Sequence, residues 1–253
     1  MILLENVSAG YAGSSYLHIG RLELMPGRIT TIAGRNGSGK STLLKTICAL
    51  LPAAGRITVD GADLRTYSHN ERARKIAYLP QSLQPVQMKV SSLAAHGRYS
   101  RTSFSRPTDS GDKAAVQHAM ELTDIASLAD RSVETLSGGE MARAYLAMVI
   151  AQESDYLLLD EPASDMDIPH QLLLADILRK LADEGRGIII SSHDLPLSFT
   201  ISDAVCLMKD GRIAAAGTPK ELAAEPSLLR EITGASLTAA VQPDSLYRYQ
   251  LSR

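Results

Sequence analysis

The sequence of 253 residues has few cysteines, no excess of basic residues and no long apolar run. Its two cysteines, Cys48 and Cys206, are far apart and lie among apolar residues, so we expect reduced packing residues in a cytosolic protein rather than a disulfide or a metal site. A formal net charge of −2 argues against a broad electrostatic grip on nucleic acid, which depends on many neutralised phosphates. The chain is nevertheless long enough for one large α/β domain with a substantial core.

Segments that would insert into a membrane or direct export are also missing. No window approaches the roughly 20 uninterrupted apolar residues that a membrane-spanning helix needs. The N-terminus reads MILLENVSAGY, without a basic segment followed by a long apolar stretch, and therefore predicts no signal peptide. If the protein serves a membrane, we expect it to dock from outside the bilayer.

The hydrophobic pattern changes along the chain. Residues 1–83 and 154–217 alternate short aliphatic or β-branched runs with helical patterns, which predicts a parallel α/β core preceded by short strands. Residues 84–153 carry helical patterns without a convincing buried strand, so we expect an inserted helical subdomain. Residues 218–253 predict a short helical tail. We interpret the whole of 1–253 as a single domain.

A glycine-rich loop lies between a predicted strand and a predicted helix. Its residues, Gly34-Arg35-Asn36-Gly37-Ser38-Gly39-Lys40-Ser41, fit the pattern G-x-x-x-x-G-K-[ST], and Thr42 follows them. Glycines let backbone N–H groups point at phosphate oxygens, and the helix N-terminus adds the positive end of its dipole. We expect Lys40 to neutralise the β- and γ-phosphates and the Ser41 hydroxyl to bind Mg²⁺. The guanine-reading N-K-x-D element is absent from the sequence, so ATP is the predicted nucleotide.

A predicted apolar strand, Tyr156-Leu157-Leu158-Leu159, ends in the two acids Asp160 and Glu161, and Pro162 follows. An acid at the carboxyl end of a strand beside the phosphate loop can hold Mg²⁺ through its water shell, and the next acid can polarise an attacking water. We assign the first role to Asp160 and the second to Glu161. Without the loop, such a pair would equally suit solvated acids that close a strand.

The segment Leu136-Ser137-Gly138-Gly139-Glu140 resembles the signature of ABC ATPases. Ser137 and Glu140 also satisfy the capping box S-x-x-E, which explains the serine and the acid but not two adjacent glycines. A glycine pair at a helix start bares N–H groups and offers a second anion site. The resemblance extends from about residue 2 to residue 222. It implies a P-loop NTPase (RecA-like) α/β fold, with a parallel-sheet core, an N-terminal antiparallel β subdomain and an inserted α-helical subdomain.

Further residues receive roles only through this resemblance. Tyr11 matches the aromatic residue that stacks on adenine, and Gln81 matches the glutamine that reaches toward Mg²⁺ and the permease. Ser164-Asp165-Met166-Asp167 matches the D-loop, and His193 matches the switch histidine that contacts the γ-phosphate. With the loop and the two acids, these residues are the predicted ATP and Mg²⁺ site.

Two positions depart from the family pattern. Glu140 stands where the signature commonly ends in glutamine, and Met148 stands where the following helix usually carries a second arginine. An acid in the first turn of a helix is favourable by about 0.3–1 kcal/mol at exposed sites, but it adds negative charge near a triphosphate, so we expect Glu140 to have a modest effect on closure. The sequence offers no physical account of Met148.

The resemblance also implies partners. The signature of one subunit closes over ATP on the loop of the other, which requires a head-to-tail homodimer beneath transmembrane permease subunits, at the cytoplasmic face of the inner membrane. An extracytoplasmic substrate-binding protein would act indirectly. The segments Ala95-His96-Gly97-Arg98-Tyr99 and Asp167-Ile168-Pro169-His170-Gln171 resemble the importer branch for ferric siderophores, haem and cobalamin, which favours iron–siderophore cargo.

Two other functions remain open at this point. A soluble ABC ATPase of an assembly or remodelling complex, of the iron–sulfur scaffold type, would carry the same motifs. A regulatory binding module that has lost hydrolysis is less consistent with the sequence, which retains all five of the polar residues expected for turnover: Lys40, Ser41, Asp160, Glu161 and His193.

Overall fold

The computed structural model describes residues 1–11, 15–101, 109–164, 166–239 and 249–252. The strands are β1 (Ile2–Ala9), β2 (Leu17–Leu24), β3 (Ile29–Ala33), β4 (Ala53–Val59), β5 (Ala62–Asp63), β6 (Ile76–Leu79), β7 (Tyr156–Asp160), β8 (Gly187–Ser192), β9 (Ala204–Lys209), β10 (Arg212–Gly217), β11 (Ser236–Ala239) and β12 (Tyr249–Ser252). The helices are α1 (Lys40–Ile47), α2 (His69–Lys75), α3 (Val90–His96), α4 (Ser110–Leu122), α5 (Gly138–Ala151), α6 (Ile168–Asp183), α7 (Leu195–Ile201), α8 (Pro219–Ala223) and α9 (Pro226–Thr233).

The N-terminal strands form an antiparallel sheet in the order β2-β1-β4-β5. Side chains alternate along β1, where Ile2 and Leu4 are buried while Leu3 and Glu5 are less so, which is the pattern of a strand with one face on a core. This sheet is the predicted antiparallel β subdomain, and that prediction is confirmed.

The central sheet has six strands in the order β10-β9-β3-β8-β7-β6. Its strands run parallel except β10, which pairs antiparallel with β9. β7 and β8 are continuous apolar runs because helices cover both faces of a parallel sheet. In register, Ala33 lies beside Ser192 and Asp160 beside Ser191. The phosphate loop after β3, the acids at the end of β7 and the residues after β8 therefore meet at one edge.

Helices α3, α4 and α5 pack on one another and continue the core of the central sheet. Arg98, only 6% exposed, joins them from the turn after α3. Its guanidinium Nε donates to Asp112 Oδ1 at 2.9 Å, and its Nη1 donates to Ala151 O and Glu153 Oε2, each at 2.7 Å. Burial opposes the charge of Arg98, but these hydrogen bonds to Glu153 and Asp112 outweigh it and raise the pKa of the guanidinium. Arg98 thus ties α4 to the chain segment that leads into β7.

The tail differs from the expectation of a purely helical segment. It contains the helices α8 and α9, but α9 ends at Gly234, which adopts the left-handed conformation with φ 86° that favours glycine. Beyond it, β11 and β12 pair antiparallel, with Leu237 opposite Leu251. The helical prediction therefore holds for the first part of the tail and is wrong for the second.

Both cysteines are buried and free. Burial raises the pKa of both thiols, that of Cys206 to about 12. Within the described ranges there is no helix long and apolar enough to cross a membrane, and no group of three or more His, Cys, Asp or Glu residues that could hold a metal ion.

Candidate functional site

The glycine-rich loop runs from the end of β3 into α1. Gly37 and Gly39 have φ values of 80° and 103°, a region that side chains with a Cβ rarely adopt. A Cβ at Gly34 would come within 2.3 Å of the Met208 carbonyl oxygen. Gly39 caps α1 without any side-chain hydrogen bond, so the first N–H groups of the helix are free to bind an anion.

Lys40 lies at the base of this loop and is only 5% exposed. Its Nζ donates to the carbonyl oxygens of Gly34 at 3.0 Å and Arg35 at 3.3 Å. The same nitrogen is 3.6 Å from Glu161 Oε1. The ammonium group is therefore held loosely between the loop and one acid, in a position where an incoming phosphate could replace that acid.

Asp160, at the end of β7, is 2% exposed and has three hydroxyl partners. Its Oδ1 accepts hydrogen bonds from Ser41 Oγ at 3.0 Å and from Ser191 Oγ, while Oδ2 accepts one from the Tyr78 hydroxyl at 3.2 Å. Burial, together with the charge of Asp160, raises the pKa of Tyr78. No motif in the sequence points to Tyr78 or Ser191, which lie on β6 and β8, the two strands that flank β7.

Glu161 follows directly and has φ 51°, an uncommon value for a residue other than glycine. Its N–H donates to Ser191 Oγ at 3.0 Å, which fixes this strained backbone. Its Oε2 accepts a hydrogen bond from Gln81 Nε2 at 3.2 Å and lies 2.9 Å from His193 Nδ1. Gln81, His193 and Lys40, three residues predicted from distant parts of the sequence, therefore converge on one carboxylate.

The residues around Asp160 also fit a Mg²⁺ ion. Mg²⁺ prefers oxygen ligands and takes only one or two carboxylates from the protein, keeping water and phosphate for the rest of its shell. Ser41 Oγ and Asp160 Oδ1 are 3.0 Å apart, and both oxygen atoms are of the kind that coordinates Mg²⁺. Gln81 reaches the same region through its contact with Glu161.

Many of the predicted residues line a cleft of about 740 Å³, a size typical of small-molecule sites, but Gly34, Ser38 and Asp160 are not among them. The predicted residues that line it are Asn36, Gly37, Gly39, Lys40, Ser41, Thr42, Gln81, Glu161 and His193. Ser164 of the D-loop lines the cleft as well. Four further lining residues were not expected from the sequence: Tyr16, Ser82, Leu83 and Met141.

The adenine-stacking residue stays a prediction. Tyr11 is 52% exposed and is not among the residues that line the cleft. Tyr16 lines it instead, and its hydroxyl donates to the Gly37 carbonyl oxygen at 2.6 Å. Both tyrosines precede the loop in the sequence, so an aromatic residue at either position could have been considered.

The signature residues begin α5 and form the capping box. Glu140 N donates to Ser137 Oγ at 3.3 Å, and Ser137 N donates to Glu140 Oε2 at 2.8 Å, a hydrogen bond that lowers the pKa of Glu140. None of the four residues Ser137, Gly138, Gly139 and Glu140 lines the cleft of its own chain.

Of the D-loop residues that the structure describes, Ser164 lines the cleft, whereas Met166 and Asp167 do not. Asp167 caps α6 by accepting a hydrogen bond from His170 N at 3.2 Å, and contact with His170 lowers the pKa of Asp167. Asp165 lies outside the described residues.

Residues 17–164 match the family model described as ABC transporter. The chain is 38% identical over 221 residues to the ferric enterobactin transport ATP-binding protein FepC of Escherichia coli (strain K12), covering 86% of this chain and 82% of FepC. It is 35% identical over 265 residues to the hemin import ATP-binding protein HmuV of Rhizobium meliloti (strain 1021), covering 96% and 95%.

The fold is similar to that of a dimeric bacterial ABC transporter cassette of known structure. The TM-score is 0.78 at 21% identity, and the match covers 87% of this chain and 99% of that one.

Proposed function

The chain belongs to the ABC transporter family, and from this we propose that it is the ATP-hydrolysing subunit of an importer for ferric siderophores or a related metal chelate. The observation that carries the proposal is the convergence of Lys40, Gln81 and His193 on Glu161, beside a phosphate-binding loop.

ATP would bind with its phosphates on the loop. The uncapped N-terminus of α1 and the ammonium group of Lys40 supply positive potential there, and both are in place before the nucleotide arrives. Mg²⁺, when bound by Ser41 and Asp160, would neutralise charge on the phosphates. Tyr78 and Ser191 hold the Asp160 carboxylate in place.

Glu161 would accept a hydrogen bond from the attacking water and orient it toward the γ-phosphate. Once ATP occupies Lys40, the carboxylate loses that partner and becomes available to water, while His193 remains beside it. A positioned carboxylate of this kind typically contributes 10²–10⁴-fold to the rate, to order of magnitude.

The proposal includes a head-to-tail homodimer. Ser137, Gly138 and Gly139 lie outside their own cleft, which leaves them available to a nucleotide on a second copy. Loss of the γ-phosphate would remove the ligand shared by the two copies and reopen them, which would drive permease subunits at the cytoplasmic face of the inner membrane. A substrate-binding protein outside the membrane would deliver the cargo.

The cargo assignment is supported by the names of relatives. FepC and HmuV are named for ferric enterobactin and hemin, both of them iron chelates. The alternative, a soluble ABC ATPase of an assembly complex, is less favoured because these relatives are import or transport proteins.

Uptake in cells tests the proposal. In the source organism with this gene deleted, we expect uptake of a ⁵⁵Fe-labelled siderophore or of haem to fall, and the wild-type gene to restore it. Glu161→Gln should fail to restore uptake, whereas Glu184→Gln, at the exposed C-terminal end of α6, should restore it. Unchanged uptake of both iron chelates in the deletion strain would contradict the cargo assignment.

A further inference from the structure

A second cleft, of about 860 Å³, lies between the phosphate loop and the C-terminal strands. One wall is the loop and the turn after β8, and the other includes Tyr249 and Leu251 of β12. Asn36 and His193 line both this cleft and the nucleotide cleft. The two clefts are therefore continuous, and we call the second one the tail-side cleft.

The strand pair β11–β12 is firmly attached to the core on its inner side. The Tyr249 ring packs edge-on against Phe199, with ring centroids 5.7 Å apart, and Phe199 is buried in α7. Leu237 of β11 is also buried. Side chains two residues apart in a strand lie on the same face, so Leu251 lines the cleft on the same side as Tyr249.

The tail-side cleft has the chemistry of an interface. Leu251 is 61% exposed, and the partly exposed Pro196 and Tyr249 add apolar surface to the same cleft. Arg35 is exposed at the rim, and in the part of the chain that the structure describes it has no ion-pair partner. An exposed apolar patch beside an unpaired cation is typical of a surface that a partner covers.

A second copy of the chain offers a matching surface. Ser164 lines the nucleotide cleft, and four residues further on Ile168 is 51% exposed at the start of α6. The acidic Asp167 lies next to it with its side chain 64% exposed. Ile168 and Asp167 on one copy therefore complement Leu251 and Arg35 on the other, because each pair places an apolar side chain beside a charge and the two charges are opposite.

We propose that the tail-side cleft binds the second copy of the chain in the ATP-bound dimer, with Leu251 against the partner's apolar surface at the start of α6. The inference rests on the proposed function, because it takes the head-to-tail dimer as given. Asn36 and His193 line both clefts. A partner that covers the nucleotide cleft therefore also contacts the edge of the tail-side cleft. In a symmetric dimer each such contact occurs twice, so one side chain has a doubled effect.

The test uses Glu161→Gln protein, in which hydrolysis is blocked, with Mg²⁺ and ATP. Sedimentation velocity over a range of protein concentrations gives the dimer Kd. We expect a further Leu251→Asp substitution to raise this Kd by at least about tenfold, because a charge would be buried at each of two contacts. Leu50→Asp is the matched control, since Leu50 is 62% exposed and lies after α1, outside both clefts; it should leave the Kd unchanged.

Binding of a fluorescent ATP analogue, measured below the dimer Kd, separates the possible failures. If Leu251→Asp binds the analogue normally and dimerises like its parent, the inference is overturned and the proposed function stands. If the Glu161→Gln parent itself stays monomeric with ATP, the proposed dimer fails first. Leu251→Ser, a milder change, should weaken the dimer in the same direction and replaces the aspartate if that variant does not fold.

Discussion

Lys40 and Arg98 are two buried cations of nearly equal exposure, 5% and 6%, in two regions of the molecule. Arg98 has short contacts with carboxylates, 2.9 Å to Asp112 and 2.7 Å to Glu153. Lys40 has two carbonyl oxygens and a carboxylate at the longer distance of 3.6 Å. The charge of Arg98 is balanced by two carboxylates in hydrogen-bond contact, whereas the charge of Lys40 is balanced only by one more distant carboxylate.

This contrast distinguishes a structural polar network around Arg98 from a functional one around Lys40. A buried charge with complete partners holds elements together and has no vacancy for a ligand. A buried cation whose carboxylate partner lies at the limit of ion-pair distance can exchange that carboxylate for an anion of higher charge. By this criterion Arg98 stabilises the packing of the helical subdomain, and Lys40 is available to bind phosphate.

Replacing Arg98 should have the largest effect on stability. We expect Arg98→Met to lower the free energy of unfolding by about 3–5 kcal/mol, because the buried Asp112 would lose its ion pair with the Arg98 guanidinium. Urea unfolding followed by circular dichroism measures this. Arg65→Met is the control, since Arg65 is an exposed partner of Asp63 and should cost only about 0–1 kcal/mol. An equal loss in both variants would remove the distinction drawn for Arg98.

The same substitution at Lys40 should affect nucleotide binding instead. We expect Lys40→Met to weaken ATP binding about 100-fold, because charge-assisted hydrogen bonds to the phosphates are lost. Fluorescence titration measures the Kd, and Lys113→Met, on the exposed side of α4, is the control. Near-normal ATP binding by Lys40→Met would mean that the lysine is as structural as Arg98.

The sequence could predict the parts of the molecule that depend on local patterns. The glycines around Lys40 and the acids after β7 have fixed spacing, and the parallel central sheet follows from runs of apolar residues. The antiparallel arrangement of the N-terminal strands was implied only by the resemblance to ABC ATPases. Contacts between strands were harder to foresee. Tyr78 and Ser191 reach Asp160 only because β6 and β8 flank β7, and the order of strands is not written in the spacing of residues.

Two other features were missed for related reasons. The pairing of β11 with β12 joins two four-residue strands, too short for a clear alternating pattern. Arg98 was noticed only within a segment that resembles importers of a given cargo, whereas its contacts are those of a packing residue. A buried ion network can be identified only when the fold shows which charged residues lie close together.

Tyr78→Phe tests a smaller contribution to the nucleotide site, the hydrogen bond that Tyr78 donates to Asp160. Loss of the hydrogen bond to Asp160 should cost about 1 kcal/mol of stability and raise the Mg²⁺ concentration for half-maximal ATPase roughly threefold. Tyr67→Phe is a matched control, because its hydroxyl donates to the Val59 carbonyl oxygen, away from the site. The control should lose similar stability with no change in Mg²⁺ dependence; a Mg²⁺ shift in both variants would argue against a positioning role for Tyr78.

Glu140→Gln should have the smallest effect. Glutamine can also complete the capping box, so the loss is limited to the interaction of the acid with the helix dipole, about 0.3–1 kcal/mol, and to its partly exposed ion pair with Arg131 at 3.8 Å. We expect the ATPase activity of the assembled transporter to change by less than about threefold. A collapse of that activity would show that Glu140 does more than tune closure.

The central claim is that Glu161 holds the position on Lys40 that the phosphates of ATP must take. Isothermal titration of ATP into wild-type and Glu161→Gln protein, with EDTA present so that no hydrolysis occurs, tests it most directly. Removing the negative charge should tighten ATP binding by about three- to tenfold, or roughly 0.7–1.4 kcal/mol. Equal or weaker binding by Glu161→Gln would contradict the claim.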